Sequence, residues 1–113
     1  ALLGSEKSTD FIVATLRLLA RVGHASHAPA VRQLCRHPSE TLRIHAIRCL
    51  RSIGSDEDIS LFETVLQDPN PWVAMQAARA LHELNATGIL VALQHSGTDR
   101  AVLASQILAE KVA

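Results

Sequence analysis

Residues 39–54 read SETLRIHAIRCLRSIG, an apolar-rich stretch that begins with serine and ends with glycine. A serine side chain can accept hydrogen bonds from the free amides of a first helical turn, and glycine tolerates the left-handed backbone that ends a helix. The same frame recurs every 31 residues, starting at Ser8, Ser39 and Asn70 and stopping at Gly23, Gly54 and Asn85. A chain punctuated at both helix ends with one period is typical of a helical repeat protein.

Three long helices are predicted between these start and stop residues, each about four turns and roughly 20 Å long. They cover residues 9–22, 40–53 and 71–84. Their apolar positions recur at the same interval, as at Leu19, Leu50 and Leu81. The apolar stripe is broad, which suits a helix that packs both on its hairpin partner and on neighbouring repeats.

A shorter apolar segment follows each stop residue, at about residues 28–36, 56–67 and 89–93. Pro38 and Pro69 close the first two copies, because proline disfavours helix in the residue before it. The acidic run DED at residues 56–58 falls in a first helical turn, where the helix dipole favours negative charge. The repeating unit is therefore helix, tight turn, helix and break, and stacked units bury a core that no single unit buries alone.

These units predict an all-α fold, an α-solenoid or superhelix of stacked antiparallel helix pairs with about 31 residues per repeat. The predicted repeats cover about residues 8–38, 39–69 and 70–99, with a partial copy at 100–113. Leu3 is in register with Leu34 and Val65, as if residues 1–4 end a helix of an earlier repeat. Neither end has the polar cap of a terminal repeat, so we expect one domain, residues 1–113, from a longer array.

The stretch DPNPWVAMQAARAL at residues 68–81 resembles the first helix of HEAT-like repeats, of the short type found in phycobilisome lyase subunits and many bacterial proteins. That family's pattern is an Asp- and Pro-rich turn, then Val, then Ala-Ala-x-Ala-Leu and a glycine-type stop. Residues 38–54 and 8–23 are looser versions, so the resemblance covers most of residues 8–99. It implies an α-solenoid that binds a partner, most often a protein. The arginine that usually follows the Val is replaced here by Ala74.

Charge changes sign along the chain. Residues 1–54 carry eight Lys and Arg against three Asp and Glu, a formal charge of +5, and residues 55–113 carry the reverse, −5. Such an asymmetry steers partners or favours head-to-tail self-association. The equal alternative is an accident of where a fragment is cut. No apolar run approaches the roughly 20 residues that span a bilayer, so we expect no membrane segment.

Residues with catalytic or metal-binding chemistry form no recognised motif in this sequence. A glycine-rich phosphate loop, a nucleophile elbow, His-Glu-x-x-His and paired cysteines are all missing. His24 and His27, with Cys35 and His37 downstream, fall short of the convergent ligands that zinc needs. Cys35 and Cys49 are expected to be small buried hydrophobes in a reducing compartment, the cytoplasm. We therefore predict a non-enzymatic protein without a metal or cofactor.

Partner-binding residues are predicted at exposed polar positions of both kinds of helix. Arg17, Arg48 and Arg79 form a ladder on the first helices, either a solvated position or a basic ridge for an acidic partner. Trp72 either packs over the preceding helix end or forms a binding hot spot. The second helices, predicted on the concave side, contribute a mixed polar set, namely Arg32, Arg36, Glu63, Gln67 and Gln94.

The predicted function is that of a protein–protein interaction scaffold. A mixed polar surface suits a protein better than a phosphate backbone, which favours a sustained basic track. One alternative is a nucleic-acid-binding module that uses the basic N-terminal half. Another is a lyase-like or regulatory subunit that binds a small ligand.

Overall fold

A computed structural model of the chain describes residues 8–23 and 25–110. In this part the chain forms seven α-helices and no strand. The helices are α1 (Thr9–Val22), α2 (Ala28–Leu34), α3 (Glu40–Ile53), α4 (Ile59–Val65), α5 (Pro71–Glu83), α6 (Thr87–Gln94) and α7 (Arg100–Ala109). Two 3-10 turns, Ala25–His27 and Asp56–Asp58, lead into α2 and α4. The helix end predicted at residues 1–4 lies outside the described residues.

The predicted helix starts are confirmed. The side-chain oxygens of Ser8, Ser39 and Asn70 each accept a hydrogen bond from a first-turn amide, at 3.2, 3.4 and 2.8 Å. α1 and α3 have the predicted bounds, and α5 ends one residue earlier than predicted. α2 and α4 are shorter than predicted, because the acidic run and the residues after α2 and α4 form turns, whereas α6 extends beyond the predicted segment at both ends.

The left-handed backbone expected at the helix stops is found at two positions and is absent at the third. Gly23 and Asn85 have φ of 71° and 61°, in the left-handed region. Gly54 is extended instead, with φ of −80° and ψ of −180°. The reason lies in Ser55, which starts the next helical turn and has the extended backbone of an N-cap residue. Copy two therefore joins its helices through extended residues rather than a left-handed turn.

Asp58 differs from the other two residues of the acidic run in its hydrogen bonds and its burial. Its Oδ2 accepts the amide of Ser55 at 3.1 Å, while Ser55 Oγ accepts the amide of Glu57 at 3.3 Å. This reciprocal arrangement is a capping box. The Asp58 side chain is 1% exposed, whereas Asp56 and Glu57 are exposed. The helix dipole is thus a sufficient explanation for two of the acidic residues, and Asp58 has a specific structural contact.

Residue contacts divide the chain into two units, residues 1–54 and 55–113. The boundary falls inside the predicted second repeat, at the position where the charge changes sign. In the first unit α3 packs against both α1 and α2. The side chains that α3 buries are Leu42, Ala46, Ile47, Cys49, Leu50 and Ile53. α3 is therefore the central helix of this unit.

In the second unit α5 packs against α4, α6 and α7. Four alanines of α5 are at most 2% exposed, namely Ala74, Ala77, Ala78 and Ala80. Such small side chains allow neighbouring helices to approach closely. The core of this unit is completed by larger side chains that are at most 1% exposed, among them Phe62, Leu81 and Leu90.

Arg43, at the start of α3, binds the turn that connects α2 to α3. Its Nη1 donates to the carbonyl oxygens of His37 and Pro38, at 3.0 and 2.9 Å. These carbonyls lie in the turn outside any helix, so the guanidinium group supplies donors that no helical hydrogen bond provides. Arg43 follows the apolar Leu42 at the start of α3, the position at which the HEAT-like pattern has its arginine.

In the next copy, the equivalent turn carbonyl is bound by an arginine from a different helix. Ala74 stands 31 residues after Arg43 and is fully buried, without a group to donate. The carbonyl of Asp68, which corresponds to that of His37, instead accepts from Nη2 of Arg100 at 2.6 Å. Arg100 is the first residue of α7. A different helix therefore supplies the arginine that α5 lacks.

Replacing Arg100 with methionine is expected to lower the free energy of unfolding by about 1–2 kcal/mol, because a charged hydrogen bond to a partly buried carbonyl is lost. Urea denaturation followed by circular dichroism measures the loss. Arg79→Met is the matched control, since the exposed ion pair it removes contributes about 0–1 kcal/mol. Equal losses in the two variants would contradict a special role for Arg100.

Candidate functional site

The predicted partner-binding residues form two sets in the structure. The first-helix set lies on α1, α3 and α5 and comprises Arg17, Arg48, Trp72 and Arg79. The second-helix set lies on or directly after α2, α4 and α6 and comprises Arg32, Arg36, Glu63, Gln67 and Gln94. Their exposure and their contacts decide which of them are open to a partner.

Arg79 is held by a carboxylate of its own unit. Its Nε donates to Oε1 of Glu110 at 3.2 Å, and its Nη2 donates to Oε2 at 3.1 Å. The hydrogen bond to Glu110 raises the pKa of Arg79 above its ordinary value. Sequence reasoning missed Glu110, although a signal was available, because Glu110 lies one repeat length after Arg79. The positive charge of Arg79 is thus balanced within the chain.

The second-helix set is only partly open. Nε2 of Gln94 donates to Oγ of Ser105 on α7 at 3.0 Å, and both Gln94 and Arg32 are half-buried. The exposed members are Arg36, Glu63 and Gln67. These three side chains are the members of the set that are most accessible to another molecule.

Arg17 and Arg48 both lower the pKa of one histidine, His45. α1 packs against α3, and both arginines are exposed. Burial of the half-buried His45, followed by the positive charges of Arg17 and Arg48, lowers the pKa of its imidazole below 6.5. Arg17 and Arg48 stand at equivalent repeat positions on these two packed helices. Sequence reasoning missed His45, although it lies one helical turn before Arg48 on the same helix face.

Replacing Arg48 with glutamine is expected to raise the pKa of His45 toward 6.5, because one of two nearby positive charges is removed. In the wild type the unfolded state binds more protons than the folded state just below pH 6.5. The free energy of unfolding therefore falls as pH drops through that window, and it should fall less in the variant. Histidine-ring NMR signals recorded against pH measure the pKa. Arg51→Gln is the control with the same charge change, and an equal shift there would contradict the local effect.

The other histidines and the cysteines do not assemble into a site within the described residues. No group of three His, Cys, Asp or Glu among residues 8–23 and 25–110 could hold a metal ion, and His24 lies outside them. Nδ1 of His37 accepts the amide of Ser39 at 2.9 Å. Cys35 and Cys49 are buried, and burial raises the pKa of Cys49 to about 11, which keeps it a thiol.

Trp72 lies open on α5. It is 63% exposed, and the interpretation that it packs over the preceding helix end stays a prediction. Its amide nitrogen, rather than its ring, makes the local contact, by donating to Asn70 at the helix start. The interpretation of Trp72 as a binding hot spot stays a prediction.

Comparison with known proteins identifies the family. A family model described as HEAT repeats matches residues 1–82, which is most of the chain. This chain belongs to the HEAT repeat family. The match confirms the resemblance stated from residues 68–81, and HEAT repeats generally mediate protein–protein interactions and are typically non-catalytic.

A relative of these HEAT repeats occurs in Pseudanabaena tenuis, where it is named "Uncharacterized phycocyanin operon protein Z". The two are 30% identical over 89 residues, which covers 72% of this chain and 44% of the relative. The chain thus spans less than half the length of that protein. No solved structure shows significant similarity. Across the described residues, every helix is too short or too polar to cross a membrane.

Proposed function

We propose that this chain is part of an α-solenoid of HEAT repeats that binds a protein partner and catalyses no reaction. The observation that carries the proposal is the HEAT match over residues 1–82, because this family generally mediates protein interactions. We keep the repeats as proposed from the sequence, at about 8–38, 39–69 and 70–99 with a partial copy at 100–113.

The local roles of the reactive side chains support a binding function. Asp58, His37 and Asp68 each accept a backbone amide two or three residues away, at 3.1, 2.9 and 2.9 Å. Within the described part of the chain, every buried polar side-chain atom has a hydrogen-bond partner. These groups stabilise helix starts and turns, and this structural use is sufficient to explain why they are present.

The proposed contact residues are the exposed members of the second-helix set. Arg36 offers a positive charge on the first unit, and Glu63 and Gln67 offer a negative charge and a neutral amide on the second. A protein surface offers complementary groups of both signs, whereas a phosphate backbone offers only negative charge. Gln94 is a weaker candidate, because binding there would have to replace its hydrogen bond to Ser105.

Direct binding to a purified partner tests the proposal. The name of the relative supplies phycocyanin as the first candidate, and cross-linking in cells supplies others for purification. Arg36→Glu and Glu63→Lys are each expected to weaken binding about tenfold or more, as charge reversal in an interface does. Arg21→Glu, an exposed reversal on α1, is the control.

Two outcomes would count against the proposal in different ways. If a purified partner binds all variants with equal affinity, the contact residues are wrong but the binding function stands. If no protein binds the chain directly, the function itself is wrong.

A further inference from the structure

Two exposed arginines in the first unit are Arg17 and Arg48. Among residues 8–23 and 25–54, neither Arg17 nor Arg48 forms an ion pair with a carboxylate. The acidic residues described in this unit, Asp10 and Glu40, lie in the first turns of α1 and α3. Each is seven or eight residues before the arginine on its helix, which is about 10–12 Å along the axis. Within residues 8–23 and 25–54, the two arginine charges are therefore not balanced by a carboxylate.

Helix packing puts the two arginines on neighbouring helices of the first unit. α1 and α3 are in contact, and packed helices lie about 8–10 Å apart. Arg17 and Arg48 stand at equivalent repeat positions on these two helices, and both are exposed. We call Arg17 and Arg48 together the α1–α3 arginine pair. It presents two positive charges, which we expect to lie about one helix diameter apart because they stand on packed helices.

The equivalent arginine of the second unit, Arg79, shows which group an arginine at this repeat position can bind. Arg79 is equivalent to Arg48 in the repeat, and it binds the carboxylate of Glu110 through two parallel hydrogen bonds. In the first unit the residue that follows Arg17 at the same interval is Arg48 rather than an acid. An arginine at this repeat position can thus hold a carboxylate in a two-point geometry, and the described residues of the first unit supply no such carboxylate.

We propose that the α1–α3 arginine pair docks an acidic segment of a partner protein, with two carboxylates about 10 Å apart. The proposal rests on the proposed function and names the partner's chemistry. Residues seven apart on an α-helix are separated by about 10.5 Å, so a helix with Glu at that spacing matches the pair. A nucleic acid is a poorer match, because the ladder arginine of the second unit is already bound to Glu110.

A peptide titration tests this site on the full chain. The probe is an Ala-rich helical peptide of about 20 residues, long enough to be helical in water, with two Glu seven residues apart. The control peptide has the same composition with the two Glu adjacent, and a random DNA duplex is the third probe. Binding is measured by fluorescence anisotropy, and the ring signals of His45 report occupancy of the site.

The spaced peptide is expected to bind and to shift the His45 signals. Arg48→Gln should weaken this binding about tenfold, whereas Arg79→Gln, with the same change in charge, should leave it unchanged. Equal binding of the two peptides, equal effects of the two variants, or no peptide binding would overturn the proposal. Tighter binding of the duplex with the same loss in Arg48→Gln would overturn it in favour of nucleic acid. Partner binding that depends on Arg36 would survive each of these failures, so the proposed function is tested separately.

Discussion

Replacing Leu50 with alanine is expected to lower the free energy of unfolding of the first unit by about 3 kcal/mol, within the usual range of about 2–5 for a buried leucine. Leu50 is fully buried on α3, the helix that contacts both α1 and α2. This loss has two contributions. One is the free energy of transferring the missing methyl groups from water to the core, and the other is the cost of the cavity that remains because the neighbouring side chains do not fill it. A unit of 54 residues has a stability of only roughly 3–8 kcal/mol, so the variant should be close to unfolding.

The first unit offers a control with the same chemical change. Leu18 on α1 is 59% exposed, so Leu18→Ala should cost less than about 1 kcal/mol. Urea denaturation followed by circular dichroism compares the two variants under identical conditions. Similar losses at Leu18 and Leu50 would show that α3 does not have the central position described for it.

Replacing Asp58 with alanine is the second large effect, with an expected loss of about 2 kcal/mol. The substitution removes the acceptor for the Ser55 amide at a site where the carboxylate is 1% exposed. The amide is then left without its partner at a helix start, which adds a desolvation cost to the lost hydrogen bond. Thermal and urea unfolding both measure this loss.

The neighbouring acids separate two explanations of the acidic run. If the helix dipole alone explains residues 56–58, then Asp56→Ala and Glu57→Ala should cost about as much as Asp58→Ala. If the capping box explains Asp58, the two exposed acids should each cost less than about 0.5 kcal/mol. We expect the second pattern, and three equal losses would contradict it.

The sequence predicts the long helices well because their limits are set locally. A capping side chain bonds an amide two or three residues away, so Ser39 and Asn70 act without help from distant residues. The left-handed backbone is absent at Gly54 for an equally local reason, since glycine permits that conformation but does not require it. The competing signal was Ser55 followed by Asp58, a capping-box pattern that sequence reasoning attributed to the dipole alone.

The surface was less predictable because it depends on residues that meet only after folding. The interval of 31 aligns Arg17, Arg48 and Arg79 but does not say which of them finds an acid. Glu110 could have been found by continuing the interval one step further. His45 could not be singled out among the histidines without knowing that α1 and α3 pack, since its pKa depends on an arginine from each helix.

The hydrogen bond that the carbonyl of Asp68 accepts determines how far local unfolding spreads along the repeats. In simple repeat proteins each copy interacts only with the next, so stability is a sum of single-copy and adjacent-pair contributions. The bond from Arg43 to His37 fits that scheme, because it joins adjacent predicted copies. The bond from Arg100 to Asp68 joins the second predicted copy to the fourth. Unfolding of α7 should therefore loosen a turn two copies away, and a nearest-neighbour description should underestimate the cooperativity of the second unit.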